Sequence, residues 1–121
     1  MNVTNALAGI AVRDLDAAVD WYARLLGRGP DARPMPGCAE WEFAGGGWIQ
    51  LFAEEGRAGR SSVTLVEEDL ERRLEDLGRE GIDVESTSDG AVARIACVAD
   101  PDGNRVVFAE GAGPANPSAS A

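Results

Sequence analysis

The segment from Asp14 to Gly27, DLDAAVDWYARLLG, has the most regular spacing of apolar and polar positions in the chain. Its apolar residues recur every three or four positions, which predicts an amphipathic helix of about three turns. Asp14 or Asp16 can accept hydrogen bonds from the free N–H groups of the first turn, and Gly27 suits the left-handed residue after a helix. The apolar positions are Leu15, Ala18, Val19, Tyr22, Leu25 and Leu26.

This helical pattern occurs a second time, about 55 residues further along the chain. The letters D-L-E at 69–71 repeat D-L-D at 14–16 and open a second predicted helix, which ends near Gly81. Leucines at helical spacing form its apolar face. They are Leu70, Leu74 and Leu77.

A strand ending also occurs twice, since Phe52-Ala53-Glu54 returns as Phe108-Ala109-Glu110. Two matches at nearly the same offset, in what the pattern presents as equivalent positions, indicate one motif used twice. We therefore predict a first module over residues 1–56 and a second over 57–111, together forming one domain. Residues 112–121 contain no core-forming side chains, which predicts a disordered tail.

The clearest β pattern is a hairpin at 38–54, where CAEWEFA and WIQLFAE alternate on either side of three glycines at 45–47. If those three glycines form the loop, Ala44 lies opposite Trp48. One face of this hairpin is then wholly apolar and is expected to pack against a helix. That face carries Trp41, Phe43, Ile49 and Leu51.

The other face of the predicted hairpin mixes acids, an amide and aromatic rings, a combination unusual both for a core and for a surface. It has the composition of a cavity wall, which makes these positions candidate ligand-binding residues. An oligomer interface or a second core explains the pattern equally well. The candidates are Glu40, Glu42, Trp48, Gln50 and Phe52.

The remaining patterns are shorter. Arg28–Gly37, with three prolines, is predicted to be an ordered connection or a short edge strand. The sequence DPDGN at 100–104 predicts a tight turn fixed by Pro101 and Gly103. Further strands are predicted at 5–12, 61–66, 83–87, 91–100 and 105–110.

Charge and composition narrow the classes of partner. The chain of 121 residues has a net charge of −10 and no histidine, so nucleic acid and anionic membranes would repel it. It has no pattern of a secretory signal and no apolar run long enough to span a bilayer, which predicts a cytoplasmic protein. Cys38 and Cys97 are isolated in strand patterns and are predicted to be buried and reduced.

The motif D-L-x-x-A-x-x-W-Y-x-x-x-L-G at 14–27, followed by D-P-D-G-N at 100–104, resembles the vicinal oxygen chelate superfamily. That superfamily includes glyoxalase I, extradiol dioxygenases, fosfomycin-resistance enzymes and bleomycin-resistance binding proteins. The resemblance covers residues 5–110. It implies an α+β fold in which two tandem βαβββ modules form a curved mixed sheet around a concave cavity, and it implies a homodimer.

The resemblance also places the metal ligands of the superfamily's enzymes on this sequence. The corresponding positions are Leu7, Gln50, Ser61 or Ser62, and Val107. Only Gln50 is a plausible ligand, and a catalytic divalent metal usually takes at least three protein ligands. We therefore predict neither a metal nor another cofactor.

Together these features favour a metal-free binding protein that sequesters a small planar molecule, with a cationic compound such as an antibiotic preferred. Trp48 and Phe52 would stack on the ligand, Gln50 would hydrogen-bond it, and Glu40 or Glu42 would neutralise it. The alternative is a lyase or isomerase that uses a cavity carboxylate or an atypical metal site. A third possibility is a dimeric interaction module without a ligand.

Overall fold

The computed structural model describes residues 2–90 and 94–111, so the predicted tail at 112–121 lies outside the described residues. Two helices and seven strands follow one another in these ranges. They are β1 (Leu7–Val12), α1 (Leu15–Leu26), β2 (Cys38–Glu42), β3 (Trp48–Ala53), β4 (Ser62–Val66), α2 (Leu70–Arg79), β5 (Ser86–Asp89), β6 (Arg94–Ala99) and β7 (Arg105–Glu110). A short 3₁₀ helix, Glu55–Arg57, follows β3.

The caps of α1 confirm the prediction made from its sequence. The Asp14 side chain accepts a hydrogen bond from the Ala17 N–H at 3.1 Å, which satisfies one free donor of the first turn. Gly27 ends the helix with a φ of 83°, where a side chain would be strained, and its N–H donates to the Ala23 carbonyl. Asp69 caps α2 in the same way by accepting from the Arg72 N–H.

The strands form two sheets, and together with the helices they give the α+β fold with mixed strand directions that the sequence predicts. In the first sheet the order is β1-β3-β2, with β3 parallel to β1 and antiparallel to β2. In the second the order is β4-β7-β6-β5, with β5 antiparallel to β6. The edge strand predicted within 28–37 is reduced to a single bridge between Ala32 and Glu40.

The chain divides into two compact units. One comprises the chain up to Val63 together with Asp100–Arg105, and the other Thr64–Ala99 with the chain from Val106 onward. In the first unit, Tyr22 of α1 lies 6.3 Å from Trp41 of β2, ring centroid to centroid, and neither side chain is exposed. In the second unit, apolar side chains of α2, β6 and β7 are fully buried. They include Leu70, Leu77, Val98 and Val106.

The hairpin between β2 and β3 has a different register from the predicted one. Glu42 pairs with Trp48 and Glu40 with Gln50, so the pairing is shifted by two residues. The loop does have three residues, but they are 44–46 rather than 45–47, because the Gly46 N–H donates to the Phe43 carbonyl and the Phe43 N–H to the Gly47 carbonyl. Gly46, with a φ of 97°, supplies the left-handed residue that such a loop requires.

The repeated letters Phe-Ala-Glu do not occupy structurally equivalent positions, although the α+β fold that they helped to predict is present. The Phe52 ring lies on the face of the first sheet that points away from Tyr22 and is half-buried. The Phe108 ring is only 2% exposed and lies 5.3 Å from the Arg73 guanidinium of α2. The two phenylalanines therefore point to opposite sides of their sheets relative to the helix.

The turn at 100–104 is a buried polar centre of the first unit. Asp100 is 5% exposed and Asn104 is 1% exposed. The Asp100 carboxylate accepts from the Tyr22 hydroxyl, the Asp102 and Asn104 N–H groups and the Asn104 amide, at 2.8–2.9 Å. Asn104 also donates to the Ala11 carbonyl and accepts from the Ser61 N–H, each at 2.8 Å. This network joins the turn to α1, to β1 and to Ser61, the residue before β4.

The burial of Tyr22 predicts how the stability of the protein changes with pH in the alkaline range. Burial, and next the charge and hydrogen bond of Asp100, raise the pKa of its hydroxyl far above the ordinary value of about 10. Above pH ~10 the unfolded state therefore releases a proton that the folded state keeps, so the free energy of unfolding falls by up to about 1.4 kcal/mol per pH unit. Below that pH this contribution is fully retained.

The tyrosinate absorbance reports on Tyr22 alone, because it is the only tyrosine of the chain. In an alkaline titration, the near-ultraviolet absorbance of tyrosinate should rise only together with unfolding, as followed by circular dichroism. Tyr22→Phe should lose most of the alkaline decline in stability. Tyrosinate formation near pH 10 in a still-folded protein would contradict the burial argument.

Candidate functional site

The five candidate residues from the sequence lie on one face of the first sheet. The pairing of β2 with β3 sets Glu42 beside Trp48 and Glu40 beside Gln50, and Phe52 follows on the same side of β3. We call this surface the mixed face. Glu42 is exposed and the other four residues are half-buried, whereas the neighbouring positions Trp41, Ile49 and Leu51, which point the other way, are at most 1% exposed.

The centre of the mixed face is a hydrogen-bonded polar pair. The Gln50 side-chain amide donates to the Glu40 carboxylate, with Nε2 2.6 Å from Oε2. The pair lies between Trp48 and Phe52 along β3, so a polar acceptor is flanked by two aromatic rings. A carboxylate beside aromatic rings is an arrangement that can accept a donor or a cation.

The Phe52 end of the mixed face already holds a cation. The Arg57 guanidinium carbon lies 5.4 Å from the centroid of the Phe52 ring, a cation–π distance. Gly9 of β1 allows the ring its position, because a Cβ on Gly9 would come within 3.1 Å of the ring. Arg57 also pairs with Glu54 at 3.0 Å. None of the sequence patterns selects Arg57, which follows the strand ending predicted at 52–54.

The Trp48 end of the mixed face is more apolar. Leu7 of β1 pairs with Trp48 across the parallel strands and is 51% exposed. The segment before β1 is attached to the hairpin here, because the Asn5 side-chain amide donates to the Gly46 carbonyl. An exposed leucine beside a half-buried tryptophan offers an apolar contact surface, which suits either a flat ligand or another protein chain.

A hydrogen-bonded loop supports the mixed face at the edge strand β2. The Asp31 carboxylate accepts from the Glu42 N–H at 2.7 Å and pairs with Arg28 at 2.7 Å. The hydrogen bond from Arg28, and then the one from the Glu42 backbone, hold the pKa of Asp31 below its usual range. The Arg28 carbonyl in turn accepts from the Trp41 indole N–H at 2.9 Å. These bonds fix the strand that presents Glu40 and Glu42.

The residues at the superfamily's metal positions in the first unit do not fit a divalent metal. Leu7 has no ligand atom, and Gln50 contributes only one neutral amide oxygen. Ser61 is part of the structural network, since its hydroxyl accepts from the Ala11 N–H at 3.2 Å. Among the described residues, no group of three or more cysteines, aspartates or glutamates converges as metal ligands would.

The fold defines a class of protein: a small α+β protein with two strand–helix repeats, whose first sheet carries the mixed face on one side and buried apolar side chains on the other. The sequence profile of the Glyoxalase/Bleomycin resistance protein/Dioxygenase superfamily matches residues 4–108. The chain belongs to that superfamily, as its two motifs indicate. None of the curated protein sequences compared with this chain matches it.

Several solved structures share the fold. A glyoxalase/bleomycin resistance protein from Catenulispora acidiphila is 32% identical, with a TM-score of 0.83 over 89% of this chain and 98% of that one. TnmS3, an antibiotic-binding protein from Streptomyces sp. CB03234, is 20% identical, with a TM-score of 0.78 over 91% and 97%. A bleomycin-binding protein complexed with bleomycin is 22% identical, with a TM-score of 0.74 over 89% and 98%.

The helices α1 and α2 span 12 and 10 residues, and no helix within the described ranges is long and apolar enough to cross a membrane.

Proposed function

We propose that this protein binds a small planar molecule, preferably a cation, on the mixed face, without the help of a metal. The observation that carries the proposal is the hydrogen-bonded pair of Glu40 and Gln50 between two half-buried aromatic rings on one sheet face. Trp48 stacks on the ligand, Glu42 beside it attracts positive charge, and Glu40 accepts a hydrogen bond from the ligand. Sequestration is the function of such a site.

The relatives support the antibiotic class of ligand. One relative is described as complexed with bleomycin, and another as an antibiotic-binding protein. Both are below 25% identity, so they share the fold with this chain and leave its ligand to be found by experiment. Bleomycin and proflavine, a planar cation, are therefore the first two probes.

A catalytic role has less support in the described geometry. In the lyase or isomerase alternative, a carboxylate of the mixed face such as Glu40 would act as the base. The donor set around Gln50 does not fit a metal, so a metal-assisted step has no anchor there. Elemental analysis of the purified protein belongs beside every binding measurement. One tightly held divalent ion per chain would favour the enzyme alternative.

The first binding prediction concerns Trp48. Trp48→Ala should weaken binding of the planar probe by about fivefold or more, because a stacked aromatic side chain in a site contributes roughly 1 kcal/mol or more. The free energy of unfolding should change little, since Trp48 is half-buried and its replacement by alanine removes little buried surface. Isothermal titration calorimetry and a thermal melt measure the two quantities on one preparation.

Two charge variants complete that experiment. Glu42→Gln should weaken binding of the cationic probe, whereas Asp20→Asn, which removes the same charge from the exposed side of α1, should not. If Trp48→Ala binds as the parent does, the mixed face is not the site. If the variant instead changes the particle mass in light scattering, Trp48 covers an oligomer interface, as the sequence also allowed.

The oligomeric state and the cellular location of the protein are also proposals. We propose a homodimer, in line with the superfamily resemblance, and a cytoplasmic protein. Light scattering of the parent should give twice the 12.7 kDa chain mass. A monomer at working concentration would mean that a single chain provides the whole ligand site.

A further inference from the structure

We infer that Arg57 is a ligand-contacting specificity residue, and that the ligand carries an anionic or strongly accepting group at the end of its planar framework opposite the cationic end. This inference rests on the proposed function and names the chemistry of the ligand at that same site. It starts from the observation that the Phe52 ring is paired with a guanidinium of the protein itself.

The contact changes what the Phe52 end can bind. A cationic ligand that stacked on Phe52 would have to displace Arg57 or lie against it, and two cations at one ring repel each other. The role of Phe52 as a direct stacking partner for a cation is therefore replaced by a supporting role. Phe52 holds the guanidinium in place, and the guanidinium faces the ligand.

Arg57 retains capacity for a further partner. Its ion pair with Glu54 uses Nη1 at 3.0 Å, and the two side chains are 70% and 46% exposed. Exposed pairs of this kind contribute little and exchange readily with water or a ligand. A guanidinium has five N–H donors in a planar fork that matches a carboxylate, so donors remain beyond the one that Glu54 engages.

The charges on the mixed face are consequently separated along β3. Glu42 lies beside Trp48 and Glu40 beside Gln50, while the guanidinium lies over Phe52. Trp48 and Phe52 are four positions apart on one strand, which corresponds to about 13 Å. An elongated planar molecule with a cationic end near Glu42 and an acidic or carbonyl end near Arg57 matches this separation in sign and length.

The test compares three probes with one planar core. They are an aminoacridine, the same aminoacridine bearing a carboxylate, and the methyl ester of that acid. The parent protein should bind the acid about tenfold more tightly than the ester, since the two differ in the anion that the guanidinium recognises. Fluorescence titrations at constant ionic strength give the three dissociation constants.

Variants of Arg57 test whether this residue causes the preference for the acid over the ester. In Arg57→Gln the ratio of the ester and acid dissociation constants should fall to about 1, and in Arg57→Lys it should be intermediate, because lysine keeps the charge without the planar fork. Arg24→Gln is the matched control, since it removes the same charge from the exposed side of α1. That variant should keep the parent's ratio.

Each outcome decides between the proposals. If the parent binds none of the three probes, the proposed function and this inference both fail. If the parent binds all three with equal affinity, or if Arg57→Gln keeps the ratio, only the inference fails. If Arg57→Gln binds all three more tightly than the parent does, Arg57 merely covers the Phe52 ring and the inference is wrong.

Discussion

Replacing Trp41 with alanine is expected to destabilise the protein by about 3–5 kcal/mol, which is a large share of the stability of a domain of this size. The Trp41 side chain has no exposed surface and lies in the core beside Tyr22 of α1. Its indole N–H donates to the Arg28 carbonyl at 2.9 Å. The substitution leaves a cavity and removes this link to the loop that supports β2.

Urea denaturation of the parent, Trp41→Ala and Trp48→Ala measures the contrast. The same change of residue type on the two faces of one hairpin should cost several-fold more at Trp41 than at Trp48, because only Trp41 is fully buried. Trp41→Phe should recover part of the loss. Equal destabilisation of the two alanine variants would mean that Trp48 is as much a core residue as Trp41, and the mixed face would lose its role as a ligand surface.

The helices and the two faces of the hairpin were predictable because each rests on a local physical rule. A helical period and a capping aspartate locate α1 from its own residues. The period of two along a strand assigns Trp41 to one face and Trp48 to the other whatever the register, as long as the shift is even. The structure shows a shift of two residues, so the face assignment is correct while the cross-strand partners are wrong.

What the sequence did not reveal are the contacts that depend on how the chain folds back on itself. The pair formed by Phe52 and Arg57 depends on how the short helix after β3 folds back, which no periodicity encodes. The letters Phe-Ala-Glu misled for a related reason. When two identical triplets differ by one residue in their position along equivalent strands, their side chains point to opposite faces. The same letters then have different environments.

The buried turn at 100–104 likewise has one feature that was predictable from the sequence and one that was not. Pro101 and Gly103 predicted the turn from local rules, and it forms. Its polar ends, Asp100 and Asn104, gave no local sign of burial, since aspartate and asparagine are ordinary residues of exposed turns. Only the meeting of the turn with β1 and α1 makes them the most constrained polar side chains of the first unit.

Asn104→Ala is expected to be the most damaging polar substitution in the described chain, with a loss of about 3–5 kcal/mol. The Asn104 side chain, 1% exposed, makes three hydrogen bonds: it donates to Ala11 and Asp100 and accepts from Ser61. Each partner group left unpaired in a buried site costs about 1–3 kcal/mol, and alanine replaces none of these bonds.

The matched control is Asn5→Ala, the same substitution at an exposed side chain that bonds to the Gly46 carbonyl, which should cost less than about 1 kcal/mol. Urea titrations of both variants give the free energies, and hydrogen exchange of the Ser61 and Ala11 amides reports the network directly. Those amides should lose protection in Asn104→Ala before the protein unfolds globally, because both are hydrogen-bonded within the network. If Asn104→Ala is as stable as Asn5→Ala, the turn is not a structural centre of the first unit.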